Sequence, residues 1–395
     1  MMQKISGRIY SVGVNDNDKV LFEGLWPLPY GVSYNSYLIN DQKVAVVDTV
    51  EAGFEEDFLA EIHEVIGDKP IDYLIVNHME PDHSSLTAYL LERYPQMKIV
   101  ANAKTLPMLK GYYDTPEERV LVMAEGQTLS LGSSTLRFHM VPMVHWPETM
   151  VTYLEEEHTL FSGDAFGTFG NVDENVLDDE ETFEEYRDEM IRYYSNIVGK
   201  YGAPVQAALK KLAGLRIDRI CSTHGPVWEV NVDQVVALYD QLSRYEVGRG
   251  VCIVYGSMYG NTAAAADALA EELEKRGVPY AIHDLAGNNE ESLGLSGALR
   301  DVFKYDTVAV GSPTYNGGIY PPAESFMKAL AARGIKGRRF YAFGSYTWAA
   351  ASVRLLNGLA KDMDFNVLGD GMAFAQAYTQ EKCDMAALAD LLASY

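Results

Sequence analysis

The stretch LIVNHMEPDHSS, residues 74–85, decides how the first half of the chain is organised. Its apolar beginning belongs to a run at residues 71–76 that has the length of a buried strand and is bounded by turn-forming residues. A buried strand fixes the base of the loop that leaves it, so such a loop can turn polar side chains into one pocket. Four potential metal ligands follow within six positions: His78, Glu80, Asp82 and His83. In an extended segment, alternate positions project to one side and position 83 to the other, which predicts a site for two metal ions; the alternative is a polar turn that only caps the strand.

Three later strand ends each supply one more potential ligand. A strand pattern at 134–140 leads to His145, the segment LFSGDAFG (160–167) presents Asp164, and RIDRICSTHGPVW (216–228) presents His224. Ligands placed only at strand ends, between alternating strands and helices, predict a sandwich of two sheets covered by helices, with a metal pocket along one edge. The remaining histidines are expected to be structural or surface residues: His63, His139, His158 and His283.

Composition limits the class of protein. With 395 residues the chain is long for one core, which predicts two domains, and no apolar run is long enough to cross a bilayer. A net charge of −24 argues against nucleic acid as a partner. The start lacks a secretory pattern and the three cysteines form no paired motif, so we expect a cytoplasmic protein without disulfides. The acidic segment 173–189 is expected to be a solvated loop and an exposed helix face, with docking of a basic or metal-carrying partner as the alternative.

The pattern changes at residues 248–250. A buried strand, VCIVY (251–255), leads into the loop GSMYGNT (256–262) and a helix pattern at 263–276, an arrangement that places backbone N–H groups and a helix dipole at an anion. No lysine follows Asn261, which disfavours a nucleoside triphosphate. Two further strands, at 307–311 and 340–343, lead into SPTYNGGIYPP (312–322) and GSYTWAAASV (344–353). All three loops would meet at the carboxyl ends of parallel strands, where open α/β sheets bind ligands.

These motifs resemble two known folds in succession. The order His-x-Glu-x-Asp-His, lone His, Gly-Asp and Thr-His-Gly resembles the metallo-β-lactamase fold, an αββα sandwich of the α+β class, over residues 1–249. Residues 250–395 resemble a flavodoxin, a doubly wound parallel sheet of the α/β class that binds FMN. Aromatic faces stack well on flat rings, so Tyr315 and Trp348 are expected to flank the isoalloxazine. The resemblance implies the following FMN contacts: Ser257, Met258, Tyr259, Gly260, Asn261, Thr262, Pro313, Thr314, Tyr315, Asn316, Gly317, Gly318, Ser345, Tyr346, Thr347 and Trp348.

Glu80 stands where hydrolases of the metallo-β-lactamase fold usually have histidine. A carboxylate is a harder, anionic ligand and favours a redox metal such as iron, whereas an imidazole-rich set suits zinc. The resemblance implies one iron held by His78, Glu80 and His145, a second held by Asp82, His83 and His224, and Asp164 as the bridge between them. Core packing is the expected role of the aromatic residues nearby, with contact to the metal ligands as the alternative: Trp146, Tyr193 and Tyr194.

Taken over its full length, the chain resembles the flavodiiron proteins in their two-domain form. The resemblance implies an oxidoreductase in which FMN feeds two non-haem irons that reduce dioxygen to water or nitric oxide to nitrous oxide. It also implies rubredoxin or a similar small electron donor, and a head-to-tail homodimer or a dimer of dimers. Thr347 and Ala349 depart from the small Gly and Ser residues often found beside Trp348 in this family. Two alternatives remain open: a zinc-dependent hydrolase fused to a flavodoxin-like domain, and a non-catalytic electron carrier.

Overall fold

The computed structural model describes residues 2–172, 175–287 and 293–394. Asp173 and Glu174, at the start of the predicted acidic segment, lie outside the described residues. The chain divides into unit 1, formed by Met1–Tyr194 and Tyr201–Arg244, and unit 2, formed by Ser195–Lys200 and Tyr245–Tyr395. The sequence places a domain boundary after residue 249, and that boundary remains a prediction. In the described ranges, none of the helices combines the length and the apolar character that crossing a bilayer requires.

Unit 1 contains two main sheets and two short hairpin-like pairs. Its strands are β1 (Met2–Lys4), β2 (Ile9–Val12), β3 (Val14–Asp16), β4 (Leu21–Phe22), β5 (Trp26–Pro27), β6 (Val32–Tyr34), β7 (Tyr37–Asn40), β8 (Val44–Val47), β9 (Tyr73–Ile75), β10 (Lys98–Asn102), β11 (Val120–Met123), β12 (Thr128–Ser130), β13 (Thr135–Met140), β14 (Met150–Leu154), β15 (Thr159–Gly163) and β16 (Arg219–Ser222). The first sheet has the order β1-β2-β7-β8-β9-β10-β11 and the second the order β12-β13-β14-β15-β16.

The helices of unit 1 are α1 (Glu55–Ile66), α2 (Pro81–Ser84), α3 (Thr87–Arg93), α4 (Thr105–Tyr113), α5 (Thr182–Tyr193), α6 (Gly202–Leu212) and α7 (Val232–Ser243). A 3₁₀ turn (Glu117–Arg119) also lies in unit 1, and a π-helical turn (Tyr194–Val198) begins at its residue Tyr194 and continues into Ser195–Lys200 of unit 2. In α1 the buried residues Phe58, Ile62 and Ile66 recur every fourth position, which places one apolar stripe against the first sheet. Three acidic residues in its first turn interact favourably with the positive end of the helix dipole.

The core of unit 1 lies between its two sheets. Ile39, Val47 and Ile75 from the first sheet and Phe138 and Phe161 from the second belong to one buried cluster. All four residues of β8 are buried, as expected for a central strand covered on both faces. The predicted metallo-β-lactamase-like sandwich is therefore confirmed.

Unit 2 is built on a parallel sheet. Its strands are β17 (Gly248–Tyr255), β18 (Tyr280–Asp284), β19 (Tyr305–Gly311), β20 (Thr314–Tyr315), β21 (Gly318–Ile319), β22 (Arg339–Tyr346), β23 (Asn366–Val367) and β24 (Met372–Ala375), and its helices are α8 (Asn261–Lys275), α9 (Gly294–Val302), α10 (Pro321–Arg333), α11 (Ser352–Asp362) and α12 (Met385–Ala393). The order β18-β17-β19-β22-β23, with every pair parallel and β24 also paired to β22, confirms the flavodoxin-like sheet. The order reverses beside β17, so the loops after β17 and β19 diverge there and leave a crevice for a ligand.

Unit 2 includes six residues from the middle of the chain. The Arg333 side chain donates from Nε to the Ser195 carbonyl at 2.6 Å and from Nη2 to the Asn196 carbonyl at 3.2 Å. The Tyr245 hydroxyl donates to the Gly199 carbonyl at 3.1 Å. These bonds satisfy backbone carbonyls of the segment Ser195–Lys200 with side chains of unit 2, so the segment is an integral part of that unit.

Two local predictions need correction. Asp82 and His83 do not continue an extended loop but lie in the short helix α2, which begins at Pro81 because proline suits the first helical position. Strand β22 does not end at Phe343 but runs to Tyr346, since β24 pairs with it and Ser345 faces Phe374 across that ladder. Ser345 and Tyr346 thus belong to a strand end instead of a loop.

Candidate functional site

The potential ligands lie at the ends of strands in unit 1, as predicted. His78 and Glu80 follow β9, His145 lies between β13 and β14, Asp164 follows β15 and His224 follows β16. Short helix α2 adds Asp82 and His83 to the same pocket.

The first group contains His78, Glu80, His145 and Asp164, and one ligand atom from each lies within 4.8 Å of those from all the others. His145 Nε2 is 2.9 Å from Glu80 Oε2 and 3.0 Å from Asp164 Oδ2. His78 Nε2 is 3.5 Å from the same Glu80 oxygen and 3.6 Å from the same Asp164 oxygen. Two imidazole nitrogens and two carboxylate oxygens therefore converge on one point.

The second group contains Asp82, His83 and His224, again within 4.8 Å of one another. His83 Nε2 lies 3.1 Å from Asp164 Oδ1 and 3.6 Å from Asp82 Oδ1. His224 Nε2 lies 3.3 Å from Asp82 Oδ2 and 3.7 Å from Asp164 Oδ1. Asp164 turns one oxygen to each group, which is the geometry of a carboxylate bridge between two cations.

The polar atoms of this pocket fit metal ions better than they fit one another. His78 Nε2, His83 Nε2, His224 Nε2 and both carboxylate oxygens of Asp82 are buried without a hydrogen-bond partner among the described residues. Buried polar atoms without partners are costly, and metal coordination would satisfy all of these at once. A mixed set of imidazole and carboxylate ligands suits a first-row transition metal.

The pKa values of residues in the pocket also favour a bound cation. Burial opposes a charge on His145, but its hydrogen bonds to Asp164 and Glu80 outweigh burial and raise its pKa to about 10. Burial likewise opposes a charge on Glu80, yet its hydrogen bond with His145 and the nearby His78 imidazole hold its pKa below the usual range. Without a cation, protons must balance the carboxylates, so binding a metal should release protons from these imidazoles.

Residues behind the ligands fix their orientation. Glu148 Oε1 lies 2.7 Å from His78 Nδ1 and also accepts the Met79 N–H at 3.0 Å. The Ser33 carbonyl lies 2.8 Å from His224 Nδ1, and the Thr223 hydroxyl donates to Asp164 Oδ1 at 2.6 Å. Sequence reasoning missed Glu148, although its position three residues after His145 in the segment HWPET was an available signal.

Aromatic rings enclose the pocket. The Trp146 ring packs edge-on against His78 at 5.0 Å between centroids, and Phe22 does the same against His224 at 5.4 Å. Tyr193 is fully buried, its ring lies 5.5 Å from that of His224, and its hydroxyl has no hydrogen-bond partner among the described residues. Burial and the charges of Asp164 and Asp82 raise the pKa of Tyr193 well above its ordinary value. Trp146 and Tyr193 therefore contact the ligands directly, where core packing was the expectation.

The other histidines lie outside both groups. His139 in β13 pairs with Glu125 at 2.8 Å, and His283 in β18 pairs with Asp301 at 2.8 Å. His158 contacts the Tyr153 hydroxyl in a turn, and His63 lies in α1.

A cleft of about 360 Å³ opens in unit 2 at the carboxyl ends of β17, β19 and β22. The lining residues that the structure describes are uncharged: Ser257, Met258, Tyr259, Asn261, Thr262, Pro313, Thr314, Tyr315, Asn316, Ser345, Tyr346, Thr347, Trp348 and Gln376. Gly260, Gly317 and Gly318 lie in the same loops without lining the cleft, and Gln376, which follows β24, was not predicted.

This cleft has the features that an FMN molecule requires. Helix α8 begins at Asn261, directly after Gly260 in a left-handed conformation (φ +81°), so its first N–H groups face the cleft and can hold a phosphate. Tyr259 and Trp348 are both 88% exposed, and they offer aromatic faces to a flat ring system.

Comparison with known proteins agrees with this architecture. The model of the ODP family beta lactamase matches residues 32–225, and the flavodoxin model matches residues 253–388. The anaerobic nitric oxide reductase flavorubredoxin of Vibrio vulnificus is 31% identical over 91% of this chain and 73% of its own length.

Two solved structures superpose over nearly the whole chain. The flavodiiron protein from Giardia intestinalis has a TM-score of 0.91 and 28% identity, and covers 99% of this chain and 97% of its own. The rubredoxin:oxygen oxidoreductase of Desulfovibrio gigas has a TM-score of 0.90, with the same identity and the same coverage. Because the flavorubredoxin is related over most of both chains, and because each unit matches the expected family model, this chain belongs to the flavodiiron protein family.

Proposed function

We propose that this oxidoreductase holds two irons in unit 1 and FMN in unit 2, and that it reduces dioxygen to water, nitric oxide to nitrous oxide, or both. The observation that carries the proposal is the placement of Asp164, with one oxygen in each of two ligand groups. Each group has two imidazoles and one further carboxylate, Glu80 in the first and Asp82 in the second. Such a set leaves coordination positions open for a small gas.

Iron is the metal that this ligand set favours. Four histidines and three carboxylates give each position a harder and more anionic environment than an imidazole-rich zinc site has. The proposed ligands are His78, Glu80 and His145 for one iron, Asp82, His83 and His224 for the other, and Asp164 between them. When bound, the flavin supplies electrons and the irons supply the positions at which the gas is reduced.

The chain's own residues control access and protons. Phe22, Trp146 and Tyr193 pack on the imidazoles and exclude bulk water from the pocket. In unit 2 the N-terminus of α8 binds the phosphate of FMN, and the described lining residues, which are uncharged, offer that phosphate backbone N–H and hydroxyl groups. Tyr315 and Trp348 hold the isoalloxazine between them.

Tyr193→Phe tests the role of the hydroxyl over the pocket. We expect turnover with dioxygen and nitric oxide to fall about 10-fold while iron and FMN contents stay the same, because the variant loses a buried hydroxyl that has no hydrogen-bond partner among the described residues and would be able to donate to a bound gas. The measurement is gas consumption at saturating reductant, with metal and flavin analysis of the same sample. Tyr239→Phe is the matched control, since Tyr239 is also buried but its ring packs on Phe166 and Tyr194. Equal losses in the two variants would assign Tyr193 to packing alone.

We also propose that the protein works as a head-to-tail homodimer, or a dimer of dimers, with a small carrier such as rubredoxin as its electron donor. Apolar side chains are exposed on the segment next to the metal pocket, with Val20 75%, Leu25 64% and Tyr30 66% accessible. Tyr259 and Trp348 are exposed at the flavin cleft. Exposed apolar groups beside both sites favour burial against a second copy or a carrier. The cytoplasmic location remains a prediction.

Leu25→Asp tests the dimer. We expect the dissociation constant of the dimer to rise at least about 10-fold, because a charge replaces an exposed apolar contact, while the monomer keeps its fold. Sedimentation at several concentrations measures the change. Val122→Asp, at another exposed apolar residue on β11, is the control and should leave the dimer intact. An unchanged constant in the Leu25 variant would remove this segment from the interface.

The proposed function itself is tested by the iron, zinc and FMN contents of anaerobically purified protein, followed by uptake of dioxygen and nitric oxide after chemical reduction. Two irons and one flavin per chain with rapid uptake would support it, and the ratio of the two rates would identify the preferred gas. Zinc in place of iron, with no uptake after iron reconstitution, would favour a hydrolase instead.

A further inference from the structure

The side chains behind the two ligand groups differ in charge. Glu148 and His78 are both fully buried, and their contact between Oε1 and Nδ1 is 2.7 Å. The Met79 N–H and the Asn102 side-chain amide, which donates to the Glu148 carbonyl, hold Glu148 in place. The second carboxylate oxygen of Glu148 is buried without a hydrogen-bond partner among the described residues. His78 therefore faces a buried, anionic acceptor.

In the second group, no carboxylate is hydrogen-bonded to the corresponding Nδ1 atoms among the described residues. His224 Nδ1 faces the backbone carbonyl of Ser33, and His83 Nδ1 is buried without a hydrogen-bond partner among the described residues. Asp48 is another buried carboxylate nearby, but its oxygens accept from the Asn77 backbone and side chain at 2.8 and 3.1 Å. Asp48 interacts more strongly with His83 than with His78, but through space: its described hydrogen bonds go to Asn77, and His83 Nδ1 has no hydrogen-bond partner among the described residues.

A carboxylate acceptor at one imidazole and a carbonyl acceptor at another give the two ligand groups different metal affinities and reduction potentials. An imidazole that donates to a carboxylate is a more basic ligand than one that donates to a carbonyl, and it donates more charge to its metal. A nearby anion also favours the more positive of two oxidation states. Each group has the same count of imidazoles and carboxylates, so the carboxylate hydrogen-bonded to His78 is the main asymmetry among the described hydrogen bonds at the Nδ1 atoms.

We propose that Glu148 is a positioning residue that makes the two iron positions inequivalent. It strengthens metal binding at the position of His78, Glu80 and His145 and lowers the reduction potential of the iron held there. The first electron delivered to the oxidised pair therefore resides at the position of Asp82, His83 and His224. This inference rests on the proposed function, because it takes the pocket to hold two irons.

Glu148→Gln tests the proposal without emptying the space that Glu148 fills. Glutamine can still accept from His78 Nδ1, but as a neutral group, which gives His78 the kind of partner that His224 has. The apo-protein is titrated anaerobically with Fe²⁺ alone. We expect two binding steps in the natural protein, and in the variant a loss of about 10- to 100-fold in affinity for one step with the other unchanged.

A redox titration of the iron-loaded protein gives the second readout. The one-electron-reduced form is followed by its EPR signal as the potential is lowered. We expect the range of potential over which this form persists to narrow in Glu148→Gln, because the two positions become more alike. Glu148→Asp, which keeps the charge, should restore part of the range.

Glu125→Gln is the matched control. Glu125 also pairs with a histidine, His139 at 2.8 Å, but that histidine lies outside both ligand groups. The Glu125→Gln variant should therefore show the same two Fe²⁺ binding steps and the same redox titration as the natural protein. The proposal is overturned if Glu148→Gln weakens both steps equally or leaves both steps and the redox range unchanged, with the circular dichroism spectrum and the thermal unfolding of the whole chain reporting that the variant is folded. Failure of the proposed function is a different result, in which the natural protein itself binds no pair of Fe²⁺ ions.

Discussion

Asp164→Asn should yield a protein that retains FMN but has lost both irons and more than about 100-fold of its activity with dioxygen and nitric oxide. Among the residues that the structure describes, Asp164 is the one whose carboxylate oxygens face both ligand groups, at 3.0 Å from His145 Nε2 and 3.1 Å from His83 Nε2. Asparagine has the same shape and can still accept from Thr223, so the fold should survive. It carries no negative charge, however, and offers only one oxygen, so it cannot bridge two cations.

Asp82→Asn provides the contrast for this experiment. Asp82 belongs only to the group of His83 and His224, so its replacement should remove one iron and leave the other. Metal analysis of the two variants side by side distinguishes a bridge from an ordinary ligand. If Asp164→Asn retained one full equivalent of iron, Asp164 would not be the bridge.

Ser257→Asp should have the reverse effect: loss of FMN with both irons retained. The Ser257 hydroxyl accepts the Ala263 N–H in the first turn of α8, and an aspartate can take over that capping role. Its charge, however, would lie where the proposed phosphate binds. Two like charges about 4 Å apart repel by about 4 kcal/mol at an intermediate dielectric, and partial exposure reduces this to about 2 to 3 kcal/mol. We therefore expect about a 100-fold loss of FMN affinity.

Ser257→Asn is the matched control for the phosphate site. It has nearly the shape of aspartate and caps helices well, but it is neutral, so FMN affinity should change by only a few-fold. Fluorescence titration of the apo-flavin protein measures both constants. Similar losses in the two variants would place the phosphate elsewhere or attribute the effect to shape.

The sequence was most informative where function depends on a strand and the residues directly after it. His78, Asp164 and His224 follow apolar strands, and the packing of those strands brings their ends together, so the ligand pocket could be predicted. Glu148 could not be predicted in the same way, because its partner His78 lies 70 positions earlier and only the fold brings the two together. The extension of β22 to Tyr346 depends on pairing with β24, and this pairing also brings Gln376 to the cleft.

The helical position of Asp82 and His83 is a failure of a different kind. Alternation along an extended segment predicted their directions, but Pro81 initiates a short helical turn, within which His83 departs from helical geometry (φ −136°, ψ 18°). The ligand atoms of both residues nevertheless lie within 4.8 Å of a ligand atom of His224.

The passage of the chain through unit 2 at Ser195–Lys200 limits how this protein can be divided into pieces. A fragment that starts at residue 250 would lack the Ser195 and Asn196 carbonyls. The Arg333 guanidinium group would lose these two hydrogen-bond acceptors. We therefore expect a fragment cut at the apparent boundary to be less stable than the unit within the whole chain. Any exchange of this part between relatives has to carry six residues that are encoded in the middle of the other half.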